Sequence, residues 1–135
     1  MSQEEKKANE AALDQYRLGW ASGDTSIILG ISNKNTFNLY RVTENDPVYP
    51  DRFPLFFDQF KKAAETASGK PYAMRFPNII HREVDGTYYE SADWVVDGYD
   101  RGSYWRCARN GTILWDMITS APTAPTQEYN STVKS

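Results

Sequence analysis

The sequence predicts an α+β fold, with helices in its first half and a long antiparallel meander in its second. Three observations lead there. Residues 2–22 repeat their apolar positions at helical spacing, with Ala12, Tyr16, Gly19 and Trp20 on one stripe. A second apolar segment rich in Phe opens at Pro54 and closes at Gly69. Beyond Tyr72, two Asx-Gly dipeptides, Asp85-Gly86 and Asn110-Gly111, each interrupt long aromatic and β-branched runs, as type I′ hairpin turns do.

Each element follows from local chemistry. Ser2 and Glu5 have capping-box spacing for the first helix, and Gly23 suits its C-terminus. Asp24 or Thr25 can cap a short second helix through Ile27, Ile28, Leu29 and Ile31. Thr36–Val42 reads as a strand, and residues 43–53, with two prolines among turn-forming polar residues, as a loop. The third helix runs from Pro54 through Leu55, Phe56, Phe57, Phe60 and Ala64. Four strands follow: Ala73–Val84, Thr87–Tyr99, Ser103–Arg109 and Thr112–Thr119. From Ala121 the composition turns to Ala, Pro, Thr and Ser, which reads as a flexible tail (121–135) behind one domain (1–120).

Composition narrows the function. Of 135 residues, 40% are hydrophobic and 24% charged, which suits a globular chain rather than a disordered one. The net charge of -3 comes without a basic stripe, so nucleic acid is not an expected partner. No apolar run approaches the roughly 20 residues of a membrane span, and Met1–Lys7 has no apolar segment behind it to make a secretory signal. A cytoplasmic protein is therefore expected. Cys107, the one cysteine, excludes an intramolecular disulfide and a cysteine-built metal site. His81 is the one histidine, and neither a calcium loop nor a glycine-rich phosphate loop occurs, so no metal or cofactor is expected. Nine Tyr, six Phe and four Trp supply rings enough to line a pocket for a small apolar or aromatic molecule.

The order of elements, the Trp20-Ala21-Ser22-Gly23-Asp24 close of the first helix, the Phe-rich third helix and Arg109-Asn110-Gly111-Thr112-Ile113 leading to Trp115-Asp116 together resemble the nuclear transport factor 2-like (NTF2-like) superfamily, and within it the SnoaL-like branch. The resemblance covers residues 5 to about 120. It implies a cone: three helices of the N-terminal half packed on a curved, mainly antiparallel sheet, an apolar pocket at the mouth, and frequent dimers through the outer sheet face.

A two-residue turn at Asn110-Gly111 puts Cys107 opposite Leu114 and Trp105 opposite Asp116. Alternation then places Trp105, Cys107, Leu114, Asp116 and Ile118 on one face, read as the pocket side together with Trp20 and Phe57. Tyr104, Arg106, Ile113, Trp115 and Met117 fall on the other; Tyr104, Arg106, Trp115 and Met117 read as a homodimer interface.

Four residues are candidates for chemistry. Asp116 is a carboxylate in an apolar row, where desolvation makes a proton acceptor or donor; the alternative is a structural carboxylate. A carboxylate or histidine on this strand's inner face is often catalytic in the family it resembles. His81 is the natural proton shuttle, or else a solvated residue before a tight turn, and the Asp85-Gly86 register puts it opposite Glu90. Tyr16 lies eight residues before Asp24, the spacing at which ketosteroid isomerase relatives carry an oxyanion-stabilising tyrosine; the alternative, which the rest of the pattern favours, is a core residue with a satisfied hydroxyl. Tyr40 stands where that isomerase's general-base carboxylate belongs, a departure from its pattern; the expected roles are His81 or Asp116 moving the proton and Tyr16 or Tyr40 polarising the oxygen. Asp93 and Asp97 read as salt-bridge partners of Arg101 or Arg106. The hydroxyls of Tyr40, Tyr49, Tyr88 and Tyr89 are candidates for the pocket mouth, with the 43–53 loop as its lid. The expected function is cofactor-independent acid–base catalysis on a hydrophobic carbonyl compound by an isomerase, cyclase or dehydratase. The alternative is a non-catalytic ligand-binding or assembly module on the same fold.

Overall fold

Ser2 opens the first helix as its spacing to Glu5 requires. Its hydroxyl accepts from the Glu5 amide at 3.0 Å while the Glu5 carboxylate accepts from the Ser2 amide at 2.8 Å. The computed structural model describes residues 1–120; the tail read at 121–135 lies outside them. Helix α1 (Gln3–Ser22) ends at Gly23 in the left-handed conformation, and the Asp24 carboxylate caps α2 (Thr25–Gly30). Helix α3 (Phe53–Ser68) has Pro54 in its first turn and Gly69 at its left-handed end.

The strands form one sheet in the order β2-β1-β6-β5-β4-β3. They are β1 (Leu39–Arg41), β2 (Asp46–Val48), β3 (Ile80–Val84), β4 (Thr87–Val96), β5 (Asp100–Arg109) and β6 (Thr112–Ile118). From β3 to β6 they run as the expected antiparallel meander, and β1 joins β6 in parallel. Both predicted turns carry two left-handed residues: Asp85 and Gly86, Asn110 and Gly111.

Three elements depart from the sequence reading. The strand expected at Thr36–Val42 starts only at Leu39, because the Asn33 side chain accepts from the amides of Asn35 and Thr36 and holds a turn there. The expected 43–53 loop contains β2, an edge strand that tolerates Pro47 since an outer edge needs no donor. Of the strand expected at Ala73–Val84 only Ile80–Val84 forms, after Asn78 takes a left-handed conformation behind Pro77.

Helix α1 lies against β4, β5 and β6. Its Trp20 meets the aromatic side of α3, packing on Phe57 at 4.7 Å and edge-on to Phe53 at 5.8 Å between ring centroids, while Tyr16 meets Phe37 edge-on at 6.0 Å. Even-numbered residues of β4 (Tyr88, Glu90, Ala92, Trp94, Val96) face this core, and odd-numbered ones face outward. Close to the core's edge, a Cβ on Gly102 would stand 1.8 Å from the Thr119 carbonyl oxygen, so β5 needs glycine there.

Candidate functional site

Leu114 decides which side chains enter the core. Across the last hairpin Arg109 pairs with Thr112 and Ala108 with Ile113, but Cys107 pairs with Trp115. Leu114 is thus the extra residue of a β-bulge. Beyond it every pairing moves by one, and Arg106 rather than Trp105 stands opposite Asp116. Because side chains alternate, that shift reverses the face expected for the rest of β5. Tyr104 and Arg106, read as outer-face residues, are buried in the core, while Trp105, read as pocket-lining, is 45% exposed on the outer face. Ile113 also turns inward; Trp115 and Met117 face outward as read. Cys107 lies on the outer face too, buried between its cross-strand neighbours Tyr89 and Trp115, whose rings meet at 6.3 Å.

The result is a network built on three buried charges, Asp116, Arg106 and Glu90, with the partly buried Arg17 at its edge. Asp116 accepts from the Tyr16 hydroxyl at 2.7 Å and from Arg106 Nε at 3.2 Å. The Arg106 guanidinium lies 3.5 Å above the Tyr104 ring and 4.6 Å from that of Tyr16. Its Nη1 is 3.8 Å from Glu90 Oε2, an ion-pair distance and not a hydrogen bond. Glu90 accepts from the Tyr104 hydroxyl at 2.6 Å and from Arg17 Nε at 3.1 Å, and lies 2.7 Å from His81 Nε2. Burial raises the pKa of Asp116 above the usual carboxylate range, with Arg106 and the Tyr16 hydrogen bond opposing. Burial acts the same way on Glu90, but Arg106, Tyr104, His81 and Arg17 together hold it lowered. Tyr16 is pushed well up by burial and by the Asp116 charge beside it, so its proton stays on the phenol.

In front of this network lies an apolar cavity, walled by Trp20, Phe56, Phe60, Met74, Trp94, Tyr104, Arg106 and Ile118. Its free centre is ≈ 20 Å³, about one water, and its volume ≈ 300 Å³ counted to the open mouth. A larger concavity of ≈ 910 Å³ lies mainly along the outer face and includes Arg75, Asp93, Arg101 and Trp105. It is wide and open, and the buried charges do not reach it.

The candidate residues are therefore partly brought together. Tyr16 and Asp116 share a hydrogen bond, and Trp20 and Ile118 line the cavity. Phe57 lies fully buried behind Trp20. Leu114, half-buried, is spent on the bulge, its carbonyl accepting from the Thr36 hydroxyl. Tyr40 pairs with Met117 on the outward side and donates its hydroxyl to Asn45, so it does not meet Asp116. His81 pairs with Glu90 as the turn predicts, but its side chain is 32% exposed and lines a separate surface depression. His81 and Asp116 thus join one chain of charges without sharing a cavity. Tyr49 is exposed; Tyr88 stacks on His81 and donates to Glu10. Asp97 pairs with Arg75, and Asp93 accepts from Asn78, so neither meets Arg101 or Arg106 as read. Glu90, Arg17, Tyr104 and the inward Arg106 were missed as site residues. For Glu90 the even parity of β4 was the available signal, but Asp93 and Asp97 on the other parity obscured it.

Neither a protein-family model nor a curated protein matches the sequence. Solved structures do. An NTF2-like protein from Cytophaga hutchinsonii superposes with a TM-score of 0.59 at 12% identity, over 90% of this chain and 100% of the other. A protein provisionally named a SnoaL-like polyketide cyclase, from Shewanella denitrificans, gives 0.64 at 7% identity over 90% and 96%. One provisionally named a ketosteroid isomerase, from Kribbella flavida, gives 0.58 at 6% identity over 87% and 80%. At these identities the likeness establishes the fold: three helices on a mostly antiparallel sheet, the fold of NTF2-like and SnoaL-like proteins.

Proposed function

We propose that this chain, sharing the NTF2-like fold, is a small-molecule pocket protein performing cofactor-independent acid–base chemistry on a hydrophobic carbonyl compound, as an isomerase, cyclase or dehydratase. The observation that carries the reading is Asp116: a fully buried carboxylate on the inner face, two residues from cavity-lining Ile118, gripped by Tyr16 and Arg106. Each carboxylate oxygen has a second lone pair, so these two hydrogen bonds leave acceptor capacity.

In the step proposed, Asp116 takes a proton from the carbon beside the carbonyl, and the electron pair moves to the carbonyl oxygen to give an enolate. Returning the proton to another carbon isomerises the compound. Expelling a β-hydroxyl, which leaves as water with the proton held by Asp116, dehydrates it, and attack of the enolate carbon on a second carbonyl, whose oxygen takes that proton, closes a ring. Tyr16 is a positioning residue here, since its own proton is committed to Asp116. His81 is left out of the proton transfer because Glu90 and Arg106 stand between it and Asp116.

The test is deuterium uptake at the carbons flanking the carbonyl of 2-tetralone, followed by NMR in D₂O. Uptake faster than in buffer, lost in Asp116→Asn and kept in His81→Gln, is the expected result. Binding of 2-tetralone without faster uptake favours the second reading, a ligand-binding module. One observation supports that second reading: Arg106 and Tyr104, and not Asp116, form the polar part of the cavity wall.

We also propose a homodimer through the outer sheet face, with Tyr89, Trp105, Trp115 and Met117 in place of the inward Tyr104 and Arg106. Asp93 and Arg101 in the same concavity give that face charges of both signs, which twofold symmetry can match.

A further inference from the structure

Among the described residues, two buried side-chain nitrogens find no hydrogen-bond acceptor: Trp20 Nε1 and Arg106 Nη1. Both residues wall the same cavity, and both are at least nine-tenths buried. The Trp20 indole N–H approaches the Tyr16 hydroxyl oxygen as a donor and opposes the rise of its pKa, but the geometry falls short of a full hydrogen bond. Arg106 Nη1 has only the 3.8 Å ion-pair approach of Glu90. Buried donors are normally paired, because an unmade hydrogen bond carries the full desolvation cost of its group. Two in one cavity wall, with Tyr16 already donating to Asp116, mark where an acceptor from a ligand belongs.

The charges around them limit what that acceptor is. Arg106, the fully buried cation, faces Glu90 and Asp116, while at the solvent edge Arg17 pairs with both Glu90 and the exposed Asp14, and His81 lies beyond Glu90. A ligand entering with a full negative charge would add a third anion beside two buried carboxylates and one buried cation, which low-dielectric surroundings penalise strongly. An uncharged oxygen adds no charge. The remaining walls are rings and methyls: Phe56, Phe60, Met74 and Trp94. Of these rings, Phe56 and Phe60 stack at 6.4 Å and are only half-buried.

We infer that Trp20 Nε1–H and Arg106 Nη1–H together hold the oxygen of an uncharged carbonyl group on a flat apolar ring, and that the cavity selects against the corresponding carboxylate. This rests on the reading that the cavity holds a small molecule, and not on turnover.

The test uses three ligands of one shape at pH 7: acetophenone, ethylbenzene and benzoate. Indole N–H signals are followed by ¹H–¹⁵N NMR in the wild type, where Trp94, already bonded to the Thr119 carbonyl, is the internal control. Acetophenone is expected to move the Trp20 signal downfield, and ethylbenzene to leave it without a new acceptor. Trp20→Phe should weaken acetophenone by about tenfold and ethylbenzene by no more than about twofold, the worth of one hydrogen bond. Benzoate should bind the wild type at least about tenfold more weakly than acetophenone, the effect of an uncompensated charge. Equal losses for both neutral ligands in Trp20→Phe, an unmoved Trp20 signal with acetophenone bound, or benzoate as the tightest ligand would each overturn the inference while leaving the pocket reading standing. Binding of none of the three would overturn both. Failure of deuterium uptake with the acetophenone pattern intact would remove only the proposed turnover.

Discussion

Arg106 and Asp116 face each other across β5 and β6 on the inner side of the sheet, Nε to Oδ1 at 3.2 Å, because Leu114 has no partner in the ladder. The consequence is a guanidinium in the core with a carboxylate on either side, Asp116 in hydrogen-bond contact and Glu90 at 3.8 Å. The energetics of this cluster are asymmetric: removing one charge strands the others, whereas removing a whole pair need not.

Arg106→Met is therefore expected to destabilise the fold by about 3–5 kcal/mol, lowering Tm by on the order of 10 °C. Adding Asp116→Leu should recover part of that loss, since the second change removes a stranded anion. Thermal and urea unfolding of the two variants check this. A double variant less stable than Arg106→Met would count against a balanced buried pair.

The two buried carboxylates respond to pH with opposite signs. The pKa of Glu90 is lowered in the fold, so its stabilising contribution is present above its unfolded pKa of about 4.3 and is lost as pH falls through the folded value. That of Asp116 is raised, so its contribution is full below about 3.9 and is lost as pH rises through the folded value. Glu90→Gln should then flatten the acid limb of the stability–pH curve, while Asp116→Asn should gain relative to the wild type as pH rises through the carboxylate range. Urea midpoints from pH 3 to pH 8 are the measurement.

Cys107 should be inert while the protein is folded. Burial, with the Asp116 charge adding to it, pushes its thiol up to about 12. Tyr89 and Trp115 flank it on the neighbouring strands. A disulfide reagent at pH 8 is expected to react at the rate of unfolding in the wild type and at least about tenfold faster in Tyr89→Ala, which opens one side of that cover. Equal rates would mean that the rings do not shield the sulfur.

The outer face gives the fourth prediction. Trp105 at 45% exposed and Tyr89 on the same sheet face are large apolar groups open to solvent among the described residues. Sedimentation velocity at micromolar concentration should show a dimer, and Trp105→Lys should shift it to monomer without lowering Tm by more than a few degrees. A wild type that sediments only as monomer would end the dimer proposal.

Much of this was legible in the sequence because it is set by near neighbours. The Ser2–Glu5 capping box, the left-handed Gly23 and Gly69, and both Asx-Gly turns depend on residues a few positions apart, and each appears where those residues demand. The Asp85-Gly86 turn even fixed the pairing of His81 with Glu90, each four residues from it along its strand. Tertiary structure decided the rest. A bulge costs one residue and leaves no mark in composition, yet with a side-chain period of two it reverses every face beyond it. Turn chemistry alone therefore sent Arg106 outward and Trp105 inward, and the opposite arrangement follows from how β6 fits between β5 and β1, where Ile113 and Asp116 bond to the 31–38 segment. The sequence by itself determined the helices, the turns and the fold class. Only the packed sheet decided that a guanidinium, two carboxylates and two tyrosine hydroxyls meet in the core, because that meeting depends on register across strands and not on spacing along the chain.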